Sequence, residues 1–136
     1  MNYKMFLVPA FMLLATAACS SKEILNLTSK ADIDNAINGN TMLVIDYHAE
    51  SHCAPCQQMA KILPEIANEF STIQFAKVDV NVFDVAEIQS VPTFVFYSDK
   101  KEVKRFSGSR SKTSFTTLLN ESFNCCGATR KAKGKK

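Results

Sequence analysis

The chain is 136 residues long, carries a formal net charge of +3 and is 46% hydrophobic. This length and composition suit one compact domain with a single core, and the absence of an internal repeat excludes a repeat architecture. The basic excess lies in residues 130–136, which contain no aromatic residue. We therefore expect a solvated tail without a function of its own, and no nucleic-acid partner.

Residues 1–18 have the layout of a secretory signal peptide. Lys4 gives the start one positive charge, and Met5–Ala18 is an uncharged, mostly apolar run that ends in small residues. A short positive start, an apolar stretch and small residues at its end are typical of export signals. The run is too short to cross a bilayer comfortably, because spanning takes roughly 20 apolar residues.

The end of this segment, residues 14–21, resembles the lipobox of bacterial lipoproteins. Small residues precede Cys19, although Thr16 stands where that pattern prefers Leu or Val. The resemblance implies that Cys19 is lipidated and becomes the first residue of the mature protein. An ordinary signal peptide, cut after Ala17 or Ala18, is the alternative, and either reading exports the protein.

These features together predict the layout of the chain and its location in the cell. We expect a signal peptide over 1–18, a short linker over 19–23, one domain over 24–124 and a basic tail over 125–136 with the vicinal pair Cys125-Cys126. The location predicted is the bacterial periplasm, with a membrane anchor on Cys19, where disulfides persist. A cytosolic protein whose N-terminus only looks like a signal remains a lesser alternative.

The predicted elements of the domain alternate between strands and helices. The first half contains a strand Ile24–Leu27, a helix capped by Thr28 or Ser29 and stopped at 38–40, a strand Met42–Tyr47 and a helix that reaches Phe70. The second half contains a strand Ile73–Val80, a short helix Val82–Ile88, a hairpin of Thr93–Tyr97 and Glu102–Phe106, and a last helix, capped by Ser111, that reaches Phe123. The order β-α-β-α-β-α-β-β-α predicts an α/β fold with a mixed central sheet flanked by helices.

The clearest helix follows the sequence His52-Cys53-Ala54-Pro55-Cys56. Its apolar residues repeat at three- and four-residue spacing from Met59 to Phe70. Pro64 lies inside this pattern and should kink the helix or remove one hydrogen bond.

A Cys-x-x-Cys sequence at the start of a helix has a definite chemical consequence. Unpaired backbone N–H groups and the positive end of the helix dipole favour thiolate at the first cysteine. Cys53 is therefore the predicted nucleophile, and Cys56, one turn further in, would resolve the mixed disulfide. Pro55 is tolerated in the first turn, where its missing N–H does no harm.

A metal site is the sharper alternative for the same region. His48, His52, Cys53 and Cys56 could offer two nitrogens and two sulfurs to zinc or copper. Against this, we expect the spacing of His48 to turn its side chain elsewhere at the end of the strand, and no second Cys-x-x-Cys exists.

Five segments in order resemble the thioredoxin family over about Glu23 to Phe123. They are Val44-Ile45-Asp46-Tyr47, His52-Cys53-Ala54-Pro55-Cys56, Phe75-Ala76-Lys77-Val78-Asp79-Val80, Val91-Pro92-Thr93 and Phe106-Ser107-Gly108. The resemblance implies the thioredoxin fold and a thiol–disulfide oxidoreductase that acts on protein disulfides. It also implies no cofactor or metal beyond the redox-active disulfide itself.

The resemblance assigns roles to individual residues. Cys53 and Cys56 match the redox pair, and Pro92 matches the family's cis-proline, beside which the backbone of Val91 bonds a substrate strand. Asp46 matches the buried acid beneath the pair, and Lys77 its cationic partner. The other implied substrate contacts are Ala54 and Pro55. Independently, an acid alone in an apolar strand has a raised pKa and can accept the proton of Cys56.

Several residues depart from the family's pattern. No tryptophan precedes the first cysteine; His52 stands there and, when protonated, could stabilise the Cys53 thiolate further. The loop 49–52 is one residue longer than usual. Lys61 occupies the place of the usual helix proline, and Pro64 lies three residues on. For Cys125-Cys126 we expect accessory thiols in a frayed terminus.

These residues predict an exported reductase or isomerase of protein disulfides. Because an exported dithiol cannot meet cytosolic reductase, a membrane or exported thiol donor is expected as a second partner. A module on the same fold that handles metal or binds proteins without catalysis is the alternative.

Overall fold

The computed structural model describes residues 21–85 and 87–123, which form five strands and three helices. In chain order these are β1 (Leu25–Asn26), α1 (Lys30–Gly39), β2 (Met42–His48), α2 (Ala54–Glu69), β3 (Gln74–Asp79), β4 (Thr93–Ser98), β5 (Lys101–Ser107) and α3 (Lys112–Phe123). The predicted signal peptide, Cys19, Cys125-Cys126 and the basic tail lie outside the described residues. Within the described ranges, no helix is long and apolar enough to cross a membrane.

One mixed sheet organises the domain. Its strand order is β1-β3-β2-β4-β5. β1, β3 and β2 run parallel, β4 is antiparallel to β2, and β5 is antiparallel to β4. This confirms the predicted α/β class, the mixed sheet and the antiparallel hairpin.

Local capping chemistry fixes where two helices begin. The Ser29 Oγ accepts a hydrogen bond from the Asp32 N–H at 3.1 Å, and the Ser111 Oγ accepts one from the Ser114 N–H at 3.2 Å. Both bonds satisfy an amide that the first helical turn would otherwise leave without a partner. α2 continues through Pro64 to Glu69, so this proline does not end the helix.

Two apolar clusters pack on the two faces of the sheet. One joins α2 and α3 to Val44, Phe75 and Phe94; the other joins α1 to the opposite face of the same strands, through residues such as Ile45. Successive side chains of a strand point to opposite faces. Asp46 therefore shares the face of Val44 and is directed toward α2.

The predicted short helix Val82–Ile88 is wrong for the residues described within it. Its described residues form turns and irregular backbone: the Val82 N–H donates to the Asp79 carbonyl at 3.1 Å, and the Ile88 N–H donates to the Val85 carbonyl at 2.9 Å. β3 ends at the sheet edge where β4 begins, so the connection needs no helix to run back along the sheet. The three-residue spacing of its apolar side chains reflects packing of Val85 and Ile88 against the α1 cluster instead.

Candidate active site

The two cysteines lie where the central strand passes into α2. Cys53 is the N-cap of α2, and its sulfur is bonded to the Cys56 sulfur at 2.05 Å. The Cys56 N–H points at the Cys53 Sγ at 3.2 Å. The helix start thus presents an amide to this sulfur, which is the arrangement that stabilises a thiolate once the disulfide is reduced.

A proline loop approaches the pair from the other side. The Val91–Pro92 peptide bond is cis, and the Cys53 Sγ lies 4.0 Å from the Val91 carbonyl oxygen. The Gly108 N–H donates to the Pro92 carbonyl at 2.8 Å and ties this loop to the end of β5. Val91 and Pro55 are half-buried and Ala54 is exposed beside Cys53, so all three border the redox pair where a partner can reach it.

Asp46 lies beneath the pair as a buried and poorly satisfied acid. It is 5% exposed, and its Oδ1 has no hydrogen-bond partner among the described residues. Burial raises the pKa of Asp46 to about 7, and the positive charge of Lys77, its register partner on β3, acts in the opposite direction. A carboxyl group with this pKa can both accept and return a proton near neutral pH.

A cleft of about 430 Å³ joins Asp46 to the second cysteine. The residues that line this cleft belong to the segment just before β1, to β2 and the loop after it, to α2 and to β3. They are Ile24, Asp46, His48, Ala49, Glu50, Cys56, Gln57, Ala60, Leu63, Pro64 and Lys77. Cys56 is 4% exposed, as expected for a resolving cysteine. The structure therefore brings Asp46, Lys77 and Cys56 together, while their roles stay predictions.

Comparison with known proteins gives this geometry a family. The thioredoxin family model matches residues 23–121. The chain belongs to the thioredoxin family. It is 35% identical over 100 residues to thioredoxin-3 of Dictyostelium discoideum, covering 71% of this chain and 94% of that protein, and 41% identical over 86 residues to thioredoxin of Geodia cydonium, covering 59% and 80%.

Solved thioredoxins share the fold. The X-ray structure of Fasciola hepatica thioredoxin superposes with a TM-score of 0.67 at 34% identity, covering 73% of this chain and 99% of that one. With its two cysteines bonded as a disulfide at the start of α2, this member of the family is a thiol–disulfide oxidoreductase. The resemblance predicted from the five motifs is confirmed.

The structure corrects the prediction for His48. The sequence led us to expect this side chain to point elsewhere, but His48 is 9% exposed and lines the same cleft as Asp46 and Cys56. The signal was present in the sequence, because residues two apart in a strand share a face. The strand simply extends one residue further than the predicted Tyr47, to His48.

The longer loop before the redox pair makes its turn at His52. This residue is exposed and has a backbone φ of 60°, in the left-handed region that few non-glycine residues adopt. The histidine that replaces the family's tryptophan thus flanks Cys53 from the solvent side. Its influence on the Cys53 thiolate stays a prediction.

The described residues do not form the set of metal ligands that the alternative function would need. Across residues 21–85 and 87–123, no group of three or more His, Cys, Asp or Glu side chains is arranged to hold a metal ion. Cys53 and Cys56 are bonded to each other, with His52 on the exposed side and His48 in the cleft.

Proposed function

We propose that this protein is an exported, membrane-anchored reductase or isomerase of protein disulfides. The observation that carries the proposal is the redox pair itself: an N-cap sulfur at 3.2 Å from a helix amide, a second sulfur beside a buried acid, and the Val91 loop 4.0 Å away. Export is supported by the sequence of residues 1–19, in which a short apolar run leads to Cys19.

The reductive cycle follows from the positions of the two sulfurs. The Cys53 thiolate attacks one sulfur of a substrate disulfide, forming a mixed disulfide and releasing one substrate thiolate. Cys56 then gives its proton to Asp46 and attacks the Cys53 sulfur. The bond between Cys53 and the substrate breaks, the second substrate thiolate leaves with the electron pair, and the Cys53–Cys56 disulfide forms. The released thiolates take up protons from solvent.

A thiol donor must then return two electrons to the pair. Its thiolate attacks the Cys53–Cys56 disulfide, and a second donor thiol completes the exchange, leaving the donor as a disulfide. An exported protein cannot draw on cytosolic reductase, so the donor is a dithiol protein in or beyond the membrane. Isomerisation needs no net electrons, because Cys53 attacks and is later displaced by a substrate thiol.

Lys22, near the start of the domain, lies at the opposite end of α2 from the redox pair. The Lys22 N–H donates to the Asn68 Oδ1 at 2.7 Å, in the last turn of α2, whereas Cys53 caps its first turn. Fifteen residues of helix separate these ends by about 22 Å. Cys19 precedes Lys22 by three residues, which span roughly 10 Å at most. A lipid on Cys19 would thus hold the pair facing away from the bilayer.

Trapping in the native host tests the proposed activity. In the Cys56→Ala variant, the mixed disulfide between Cys53 and a substrate should persist and carry substrate proteins into a non-reducing gel. Cys53→Ser is the matched control and should trap nothing. A purified wild-type protein that fails to reduce insulin with a dithiol donor, together with an empty trap, would overturn the proposal.

The mass of the mature N-terminus tests export and anchoring separately. A diacylated Cys19 in the membrane fraction supports the anchor, and cleavage after Ala17 or Ala18 supports export without it. An intact Met1 in the cytosolic fraction would overturn the export proposal and leave the redox chemistry standing.

A further inference from the structure

Arg110 lies at the edge of the sheet that carries the redox pair, and the cycle above gives it no role. β4 is antiparallel to β2, and β5 is antiparallel to β4, so β5 ends at the same edge of the sheet as β2. Cys53 and Cys56 follow the end of β2, and Arg110 follows the end of β5. The redox pair and Arg110 therefore border the same end of the domain, two strands apart.

The loop that carries Arg110 is bonded to the loop beside the redox pair. The Gly108 N–H donates to the Pro92 carbonyl at 2.8 Å. Val91 precedes Pro92, and its carbonyl oxygen lies 4.0 Å from the Cys53 Sγ. A partner chain that reaches Cys53 along Val91 thus passes close to the loop that follows β5.

α2 fixes the same loop from its other side. The Arg110 N–H donates to the Met59 Sδ at 3.2 Å, and Met59 lies three residues after Cys56 on α2. Met59 is fully buried. The backbone of Arg110 is therefore held between the redox helix and the proline loop.

The guanidinium group is held in place but keeps free donors. Its Cζ lies 5.1 Å from the centre of the Phe106 ring, and its Nη1 donates to the Ser109 carbonyl at 3.1 Å. A Cβ added to Gly108 would lie 3.8 Å from the same Nη1, which places the group beside Gly108. Arg110 is exposed, and a guanidinium has further N–H donors that this one bond does not use.

Neighbouring charges leave the positive charge of Arg110 available to a partner. Lys112, two residues later, already pairs with Glu65 and Glu69 of α2, at 2.5 and 2.6 Å. Among the residues that the structure describes, no carboxylate forms an ion pair with Arg110. Its charge is therefore not neutralised within this part of the chain.

The charge around the redox pair is also uneven. Glu50 is exposed in the loop after β2, and Asp79 is the last residue of β3, which lies on the side of β2 away from β5. Arg110 lies on the β5 side. A partner segment laid across the redox pair meets negative charge toward β3 and positive charge toward β5, which favours a segment with an acidic residue on the β5 side.

We propose that Arg110 is a specificity-determining residue that binds a carboxylate of the substrate, so that the preferred substrates carry an acidic residue near the cysteine that Cys53 attacks. The inference rests on the proposed reduction of protein disulfides and names its substrate class. A planar guanidinium can bind a carboxylate through two parallel hydrogen bonds, and stacking on Phe106 holds it ready to do so. The attack itself is unchanged: the Cys53 thiolate bonds to one substrate sulfur, and the other leaves with the electron pair.

Peptides that differ only in charge test the inference. The full chain is used in its reduced form, with the three cysteines outside the pair changed to serine. Each peptide is otherwise uncharged and carries one cysteine as a disulfide with 2-thiopyridine, an uncharged leaving group whose release by Cys53 is followed by absorbance. Glu, Gln or Lys is placed in turn at each position within about four residues of that cysteine, which spans roughly 13 Å of extended chain.

The expected result is a preference that follows the charge of residue 110. At the best position, the wild type should react with the Glu peptide about two- to fivefold faster than with the Gln peptide at low salt. This ratio should approach one in about 1 M salt, where charges are screened beyond about 3 Å. Arg110→Gln should abolish the ratio, and Arg110→Glu should make the Lys peptide the faster one. Because each ratio is taken within one variant, a general loss of activity cancels.

Lys101→Gln is the matched control. It removes an exposed cation from the start of β5, about 20 Å from the end that leads to Arg110, and should keep the wild-type ratio. If the ratio falls equally in Lys101→Gln and Arg110→Gln, the preference reflects net charge and the inference is overturned.

Two further outcomes separate the possible failures. If the wild type releases thiopyridone from the peptides no faster than Cys53→Ser does, the proposed function fails and the inference fails with it. If the wild type reacts with the uncharged peptide but treats Glu and Gln peptides alike at every position, or if the ratio survives in Arg110→Gln, the inference alone is overturned.

Discussion

Replacing Asp46 by asparagine should stabilise the folded protein in alkaline solution and leave its stability nearly unchanged in acid. Asp46 is 5% exposed, and burial raises its pKa from 3.8 to about 7. In the unfolded chain this carboxyl group ionises near pH 4. The folded state therefore binds a proton more tightly than the unfolded state, and the stability of the wild type falls as pH rises from about 4 to about 7.

The size of this effect follows from the difference in pKa. A difference of about three units corresponds to about 4 kcal/mol of unfolding free energy, fully present below pH 4 and lost above pH 7. Asparagine has nearly the shape of the protonated acid and cannot ionise. Asp46→Asn should thus match the wild type near pH 4 and exceed it by up to about 4 kcal/mol near pH 8.

Guanidinium unfolding of the disulfide form at the two pH values provides the assay. The difference between variant and wild type at acid pH measures any change in packing, and subtracting it from the alkaline difference leaves the ionisation effect. Glu50→Gln removes an exposed carboxylate from the mouth of the same cleft and serves as the control for net charge. An equal difference at both pH values, or a loss at alkaline pH, would refute the reasoning.

Further predictions concern stability and can be checked by the same unfolding assay. Gly39→Ala should stabilise the folded protein by about 0.5–1 kcal/mol, because the added Cβ meets no atom within 4 Å. Gly108→Ala should destabilise the folded protein, because Gly108 has a φ of 89° that alanine rarely adopts. The opposite order of the two effects would contradict the backbone geometry. Pro64→Ala restores an N–H inside α2 and should stabilise by up to about 3 kcal/mol; a loss would show that Pro64 contributes packing. Phe115→Ala removes a fully buried ring that contacts three other phenylalanines and should destabilise by about 3–5 kcal/mol; a smaller loss would mean that the core closes over the space.

The strands and helix starts could be predicted from the sequence because their causes are local. Met42–Tyr47 was predicted as a buried strand and the structure has Met42–His48, since a run of apolar residues needs only its own pattern to be recognised. The sequence predicts Thr28 or Ser29 as the cap of α1 and Ser111 at the start of α3; in the structure Ser29 and Ser111 each accept a hydrogen bond from an amide three residues further on. The Cys53–Cys56 pair also follows from position alone, at the start of an amphipathic helix.

The failed predictions depended on contacts between distant parts of the chain. The spacing of Val82, Val85 and Ile88 fits a helix, but Val82 is 61% exposed and the other two pack on the α1 cluster across a connection that stays at one sheet edge. His48 was assigned elsewhere because the cleft that it lines is closed by α2 and β3, which no local pattern describes. In both cases the spacing of the residues could be read from the sequence, but the surface against which they pack could not.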